Sequence, residues 1–429
     1  MALIYHHGTL AFQIVMLLAG VPIGVSIGVT SVAWLAVTGL DISVLASRMQ
    51  GGINSFTLMS IPFFILAAEI MNVVGITEKL MDFCSMALAR FRGGLAYVCI
   101  FTGMIFASIT GSALANCAAL SKVFIPKMVD QGYKKPWAVA NLVNSALLGP
   151  IIPPSITLVL YGAVTGVSIG GLLLGGLIPG IFMGLVQSLY VFIIGKKDGL
   201  PKVETHYTKK EIVSVSLAAI PSLLMPVIII GGIYSGKATP TEAAALAVGY
   251  ALLLGFVFYR TLKPGALLQA GKQTMRDSTT MFFVVGVSNL LSWLIARTGL
   301  AVKFSTFMLS LSDNPNVIFF LVILLLLFMG TWLDSSAIII LVAPIVAPMM
   351  EGIGVDPIHF GVVFIVCVTL GLVTPPLGMC LFVASTANKM SVTPIIKKMV
   401  PFLILDVAII AVLTLVPDIT VWLPHSTGF

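Results

Sequence analysis

Met329-Gly-Thr-Trp-Leu-Asp-Ser-Ser336 sits inside a strongly apolar run, residues 317–350, and interrupts it with a glycine, several hydroxyls and a carboxylate. Placing an acid at membrane depth costs about 2.5–3.5 kcal/mol even on the mildest scales, so Asp334 marks a candidate site. An earlier apolar run, residues 95–123, carries Ser108-Ile-Thr-Gly-Ser-Ala-Leu-Ala115 in the corresponding place. The chain reads as two copies of one device built around these segments.

Composition sets the solvent. Of 429 residues, 59% are hydrophobic and 9% charged, and the mean hydropathy is +1.10, which excludes an ordinary soluble domain. Polar residues punctuate apolar blocks of about 18–30 residues, the length that crosses a bilayer. Residues 1–9 lack a basic region and the block that follows is too long for a cleaved signal core, so no secretory signal is expected. The net charge of +7 reads as the excess of Lys and Arg in cytoplasmic loops and not as a nucleic-acid footprint. The five cysteines form no CxxC pair and the five histidines no ligand-spaced pair, so neither set invites a metal or catalytic role.

Charge flanks set the topology. Arg90 and Arg92 precede residues 95–123, and Lys122, Lys127, Lys134 and Lys135 end or follow them. A crossing helix would strand one cluster on the wrong side, so a re-entrant hairpin entering from the cytoplasm and turning near 108–112 is expected. Residues 137–165 come next, interrupted by Gly149-Pro-Ile-Ile-Pro-Pro-Ser155. Prolines there remove donors and helical geometry, so the helix must unwind in mid-membrane. Residues 317–350 are the mirror case, flanked by Asp313, Glu351 and Asp356 with Lys303 the nearest cation, and 360–387 break at Gly371-Leu-Val-Thr-Pro-Pro-Leu-Gly378. Amphipathic helices lying in the interface are expected over 41–53, 75–92, 264–277 and 299–313. Separate spans are expected over 56–73, 171–194, 212–234, 243–258, 281–295 and 400–422. Block 10–40, broken at Gly20-Val-Pro-Ile-Gly24, fits one kinked helix or two short ones. This topology puts all of the 23 basic residues on the cytoplasmic side except Arg48, Lys237, Arg297 and Lys303.

Sliding the second half onto the first by 222 positions superposes Ala115 on Ala337, Pro126 on Pro348, Gly149 on Gly371, Pro153-Pro154 on Pro375-Pro376, and Pro179 on Pro401. Gly75-Ile76 meets Gly299-Leu300 at an offset of 224. With the hairpins on opposite sides, the expected fold is an all-α polytopic membrane protein of inverted repeats, with two re-entrant hairpins and two broken transmembrane helices. The first repeat is 1–195, with hairpin 95–126 and broken helix 137–165. A cytoplasmic linker, 196–211, leads to the second repeat, 212–429, with interfacial arm 264–277, hairpin 317–350 and broken helix 360–388.

Unwound helices expose carbonyls, and half-helix ends carry opposite partial charges. Carbonyls with Ser and Thr hydroxyls suit a small hard cation, whereas half-helix N-termini suit a carboxylate. One cation cage is expected from Ser108, Thr110, Gly111, Gly149 and Ile152, and a second from Gly330, Thr331, Gly371 and Thr374. Between them Ser112, Ser155, Asp334 and Ser335 are expected to meet the substrate. The bland alternative is that the hydroxyls bond to the preceding turn and the small residues only permit close packing. Asp334 would then merely cap a helix, and the prolines would only kink. Ser112 falls on Asp334 and Ser155 on Leu377, so the repeats differ chemically. Glu69 receives no role. An intramembrane hydrolase using Ser108 or Ser112 lacks a His or Lys placed to activate it, and a primary pump lacks a GxxxxGK[ST] loop; no enzyme is expected.

These residues resemble the large membrane subunit of the tripartite ATP-independent periplasmic (TRAP) transporters, including those of the sialic acid type. The likeness runs through Gly20-Val-Pro-Ile-Gly24, Ser60-Ile-Pro-Phe-Phe-Ile-Leu66, Phe106-Ala-Ser-Ile-Thr-Gly-Ser-Ala113, Pro150-Ile-Ile-Pro-Pro-Ser155, Ala238-Thr-Pro-Thr-Glu-Ala243, Ser310-Leu-Ser-Asp-Asn-Pro315 and Thr374-Pro-Pro-Leu-Gly378. It implies an elevator fold like that of the ion-transporter superfamily in a bacterial inner membrane. It also implies transported Na+, two ions or more, and an organic acid substrate, sialic acid or a C4-dicarboxylate. The implied partners are a separately encoded small four-helix membrane (Q) subunit, a periplasmic substrate-binding (P) protein and membrane lipids. A stand-alone ion-coupled anion carrier of the same fold, needing no binding protein, is the competing expectation.

Overall fold

The computed structural model describes residues 8–429 except 10, 14, 17, 18, 198, 203–206 and 313, and the side chains of these residues except 77, 107–110, 300 and 301. The expected flank Asp313 and part of the linker 196–211 therefore lie outside the described residues, as do the side chains of Ser108 and Thr110.

The described secondary structure is helical throughout. Among the described residues six helices are long and apolar enough to cross a membrane, or up to eight if two bent pairs each count as one span. The first of these pairs comprises residues 43–53 and 57–73, bent by 64°, which separates the expected interfacial helix from the span behind it. In chain order the N-terminal helices are α1 (Ile23–Thr38), α2 (Ser43–Ile53), α3 (Ser60–Val73) and α4 (Ile76–Leu88). Then come α5 (Gly94–Thr110), α6 (Ala113–Asp130), α7 (Lys135–Ala146), α8 (Ile156–Thr165) and α9 (Ile169–Lys197). The second half holds α10 (Lys209–Tyr234), α11 (Pro240–Leu253), α12 (Pro264–Thr298) and α13 (Leu300–Leu311). It closes with α14 (Pro315–Gly330), α15 (Ser335–Gly352), α16 (Pro357–Gly371), α17 (Met379–Ala387), α18 (Val392–Leu415) and α19 (Asp418–Ser426).

The breaks fall where glycine and proline put them. Hairpin α5–α6 folds back on itself: the Asn116 side chain donates to the Gly103 carbonyl (3.5 Å), and Leu120 packs on Gly103. The junction is Gly111, at φ +59°, a left-handed backbone that only glycine adopts without strain. Helices α14 and α15 likewise pack on each other and on α16. Helix starts recur at the expected spacing: α6 at Ala113 and α15 at Ser335, α7 at Lys135 and α16 at Pro357, each 222 positions apart. The N-terminal block turns at Ala19–Gly20 before α1 begins at Ile23.

Two expectations change. The arm 264–277 is not a separate helix, because α12 runs unbroken from Pro264 to Thr298. Gln269, Lys272, Gln273 and Arg276 are good helix formers, so their polarity marks a face and does not end the helix. The last span is α18, starting at Val392 and carrying Lys397 and Lys398, and it stops before Pro417. The residue preceding a proline is pushed out of the helical region, so α19 forms separately.

The helices pack in two groups. α1, α2, α3, α10, α11 and α12 pack mainly on one another, and so do α5–α9 together with α14–α19. α4 and α13 bridge them, α4 lying against α10 and α5, and α13 against α12 and α15.

Candidate functional site

Each hairpin tip seats on the break of its own half. At Gly149 a Cβ would stand 3.1 Å from the backbone of Ser112, and at Gly111 one would stand 2.9 Å from the Ile156 nitrogen and 3.1 Å from the Pro154 oxygen. At Gly330 a Cβ would stand 2.8 Å from the Cα of Gly371. No side chain fits these junctions, which explains the paired glycines. The Pro153-Pro154 and Pro375-Pro376 peptides in the two breaks are cis.

The tips also meet each other. Ser112 caps α6, accepting from the Ala115 N–H at 3.4 Å, and Asp334 caps α15, accepting from the Ser336 N–H at 2.9 Å. Gly111, Ser112, Asp334 and Ser335 line one small cavity of about 60 Å³. Two helix N-termini, each with its positive partial charge, therefore border one cavity. The Ser335 hydroxyl is buried and has no hydrogen-bond partner among the described residues.

A larger cavity, about 610 Å³, opens between the two helix groups. Ser112, Asp334 and Ser336 face it from the tips, and Glu69 and Asn72 of α3 with Asp277 and Thr280 of α12 face it from the other side. Its size falls within the range of small-molecule sites, about 300–1,000 Å³. Glu69 and Asp277 line this cavity and were not among the residues expected there from sequence. The available signal was a carboxylate within the apolar helix 60–73 and another inside α12.

Thr331 and Thr374 are placed as expected at the second tip and break, and each hydroxyl donates to its preceding turn, Thr331 to Phe328 (2.7 Å) and Thr374 to Leu370 (2.8 Å). A hydroxyl that donates in this way keeps lone pairs that can coordinate a cation. Around Gly378 the carbonyls of Leu372 and Thr374 lie 3.3 and 3.2 Å from where a Cβ would be. Its N–H donates to the Thr331 carbonyl at 3.4 Å. Three backbone oxygens thus gather at this break. Among the described residues no group of three or more His, Cys, Asp or Glu could hold a metal.

Two expected residues point elsewhere. Ser155 is fully buried and lines neither cavity. Its hydroxyl donates to the Pro150 carbonyl and accepts from the Leu158 N–H (3.1 Å), because the first residue of a buried half-helix must satisfy its own backbone. The Ile152 side chain packs against Gly180 of α9, so only its backbone is available to a cation.

A multi-pass helical membrane protein with paired broken helices and a cavity at their tips has the architecture of secondary transporters. Comparison with known proteins agrees. The family described as "Tripartite ATP-independent periplasmic transporter, DctM component" matches residues 10–419, and the chain belongs to that family. It is 37% identical over 414 residues to the sialic acid TRAP transporter large permease protein SiaM of Vibrio cholerae, covering 96% of each chain. It is 34% identical over 437 residues to the C4-dicarboxylate TRAP transporter large permease protein DctM of the same organism, covering 95% of each. Among solved structures, the YdaH transporter of Alcanivorax borkumensis, described as having an unusual topology, shares the fold with a TM-score of 0.62. The identity there is 15%, over 86% of both chains.

Proposed function

We propose that the chain is the large membrane subunit of a sodium-coupled importer of an organic acid in the bacterial inner membrane. A periplasmic binding protein delivers the substrate, and a small four-helix membrane subunit completes the assembly. The observation that carries the coupling is the charge of the 610 Å³ cavity. Glu69, Asp277 and Asp334 line it, with no Lys, Arg or His among its described lining residues. Two helix N-termini of about +0.5 each do not balance three carboxyl groups, so an organic anion entering there needs cations bound with it. The tip–break junctions, with their gathered carbonyls and hydroxyls, are the cages for those ions, and Ser112, Asp334 and Ser335 meet the substrate.

An elevator mechanism accounts for the two helix groups. The group bearing both tips moves, the other holds its place in the membrane, and α4 and α13 flex between them. In this reading the two halves are inverted repeats joined by 196–211. The family's description as tripartite supports the two partners. The relative at 37% identity favours sialic acid over a C4-dicarboxylate.

Reconstitution of the chain with its small subunit in proteoliposomes, with binding protein outside, tests this. Sialic acid uptake should depend steeply on external sodium and vanish in choline. Uptake at the same rate in choline refutes the coupling, and uptake by the chain alone, without binding protein, refutes the tripartite assembly.

A further inference from the structure

Away from the tips, a groove of about 560 Å³ runs between α5 and α9, with the end of α4 at its head. Its walls are apolar, and their exposure is high for residues of that size: Leu189 56%, Phe192 71%, Ile193 65% and Phe91 48%. One end is different. Arg92 and Lys196 both line it, and the Arg92 side chain is laid over Gly195, whose Cβ would stand 3.9 Å from the arginine Cγ. Gly93 donates to the Pro201 carbonyl at 2.8 Å, which ties the α4–α5 turn to the end of α9. From Lys196 to Ser188 the groove extends along α9 for about 12 Å at 1.5 Å per residue.

Such a groove fits one class of molecule: an acidic group at the basic end, joined to a chain that is apolar for at least the next 12 Å. We propose that this is a binding site for an anionic phospholipid of the surrounding leaflet. The headgroup phosphate meets Arg92 and Lys196, and an acyl chain lies on Phe192, Leu189 and Phe101. Two exposed cations near an anionic lipid surface favour it over a zwitterionic one by about thirtyfold. The site is built from the bridging helix α4 and from α5 and α9 of the group bearing the tips, so the lipid lodges at a joint between the two groups. It shares no residue with the cavities at the tips and does not depend on the transport reading.

Native mass spectrometry of the assembly in nanodiscs, with phosphatidylglycerol competing against phosphatidylcholine of the same chains, reads the site directly. Wild type should retain phosphatidylglycerol at least tenfold over phosphatidylcholine. Arg92→Gln with Lys196→Gln should abolish that preference, whereas Arg92→Lys with Lys196→Arg, which keeps both charges, should preserve it and controls for folding. No preference in wild type, or full preference in the double glutamine variant, overturns the proposal. So does displacement of the lipid by millimolar glycerol 3-phosphate, which would make this a site for a soluble anion. Retention of the lipid by the chain alone but not by its assembly with the small membrane subunit would assign the groove to that protein and equally overturn it.

Discussion

Gly330→Ala tests the contact on which the site's geometry rests. Gly330 is helical, so alanine suits its backbone, and in an open helix the change would stabilise by roughly 0.5–1 kcal/mol. Here the new methyl would stand 2.8 Å from the Gly371 Cα and 3.1 Å from the Val368 carbonyl. Carbon contacts settle at about 3.5–4.0 Å, so the tip must retreat from its break by about 1 Å. Both obstacles are backbone and cannot rotate away, which puts the cost in the range for overpacking, about 1–3 kcal/mol, and outweighs the helix gain. A shift of 1 Å at a positioned site can cost about a hundredfold in rate. We expect uptake to fall at least tenfold and the thermal midpoint to drop. Gly271→Ala, where a Cβ would meet nothing within 4 Å, should leave uptake unchanged. Wild-type uptake and midpoint for Gly330→Ala would refute the tip-on-break packing.

Other substitutions separate charge, cap and coordination. Asp334→Asn keeps an acceptor for the Ser336 N–H, since asparagine caps helices as well as aspartate, so the midpoint should hold within about 0.5 kcal/mol while uptake falls at least tenfold; unchanged uptake would demote the carboxylate to a cap. Ser335→Ala removes a buried hydroxyl without a described partner, so stability should hold or rise. If that hydroxyl serves the substrate, KM should increase by about tenfold, the worth of one hydrogen bond, and an unchanged KM removes it from the site. Asp356→Ala should act oppositely, because Asp356 accepts from the N–H groups of Ile358 (2.8 Å) and His359 (2.9 Å) at the start of α16 and meets His425 at 3.1 Å. Differential scanning should register a loss of about 1–2 kcal/mol, with normal uptake by the folded fraction, and a transport defect without a stability defect would contradict that structural role.

What was legible follows from how each feature is written in the chain. Glycine and proline act on the backbone whatever surrounds them, so Gly111, Gly149, Gly371 and the double prolines announced both tips and both breaks, and their spacing announced the repeat. The boundary expected after 277, which rested on polarity alone, failed: the polar face of 264–277 runs on into a span because a helix ends for backbone reasons and not for want of apolar residues. Ser155 failed differently. Its place beside a break was right, but a buried N-cap turns inward to satisfy its own helix, which spacing cannot reveal. Glu69 and Asp277 were hidden because neither stands at a glycine or proline break, and only packing brings α3 and α12 to the same cavity. The half of the cavity carried by the hairpins is thus written in backbone punctuation, and the half carried by the opposite group in two acids within unbroken helices. If the groups slide past each other, Asp334 travels relative to Glu69 and Asp277, and the repulsion among the three carboxyl groups varies along the path. A cation bound at the moving tip would screen that repulsion, so Glu69→Gln should weaken the dependence of uptake on sodium without removing the ion's cage.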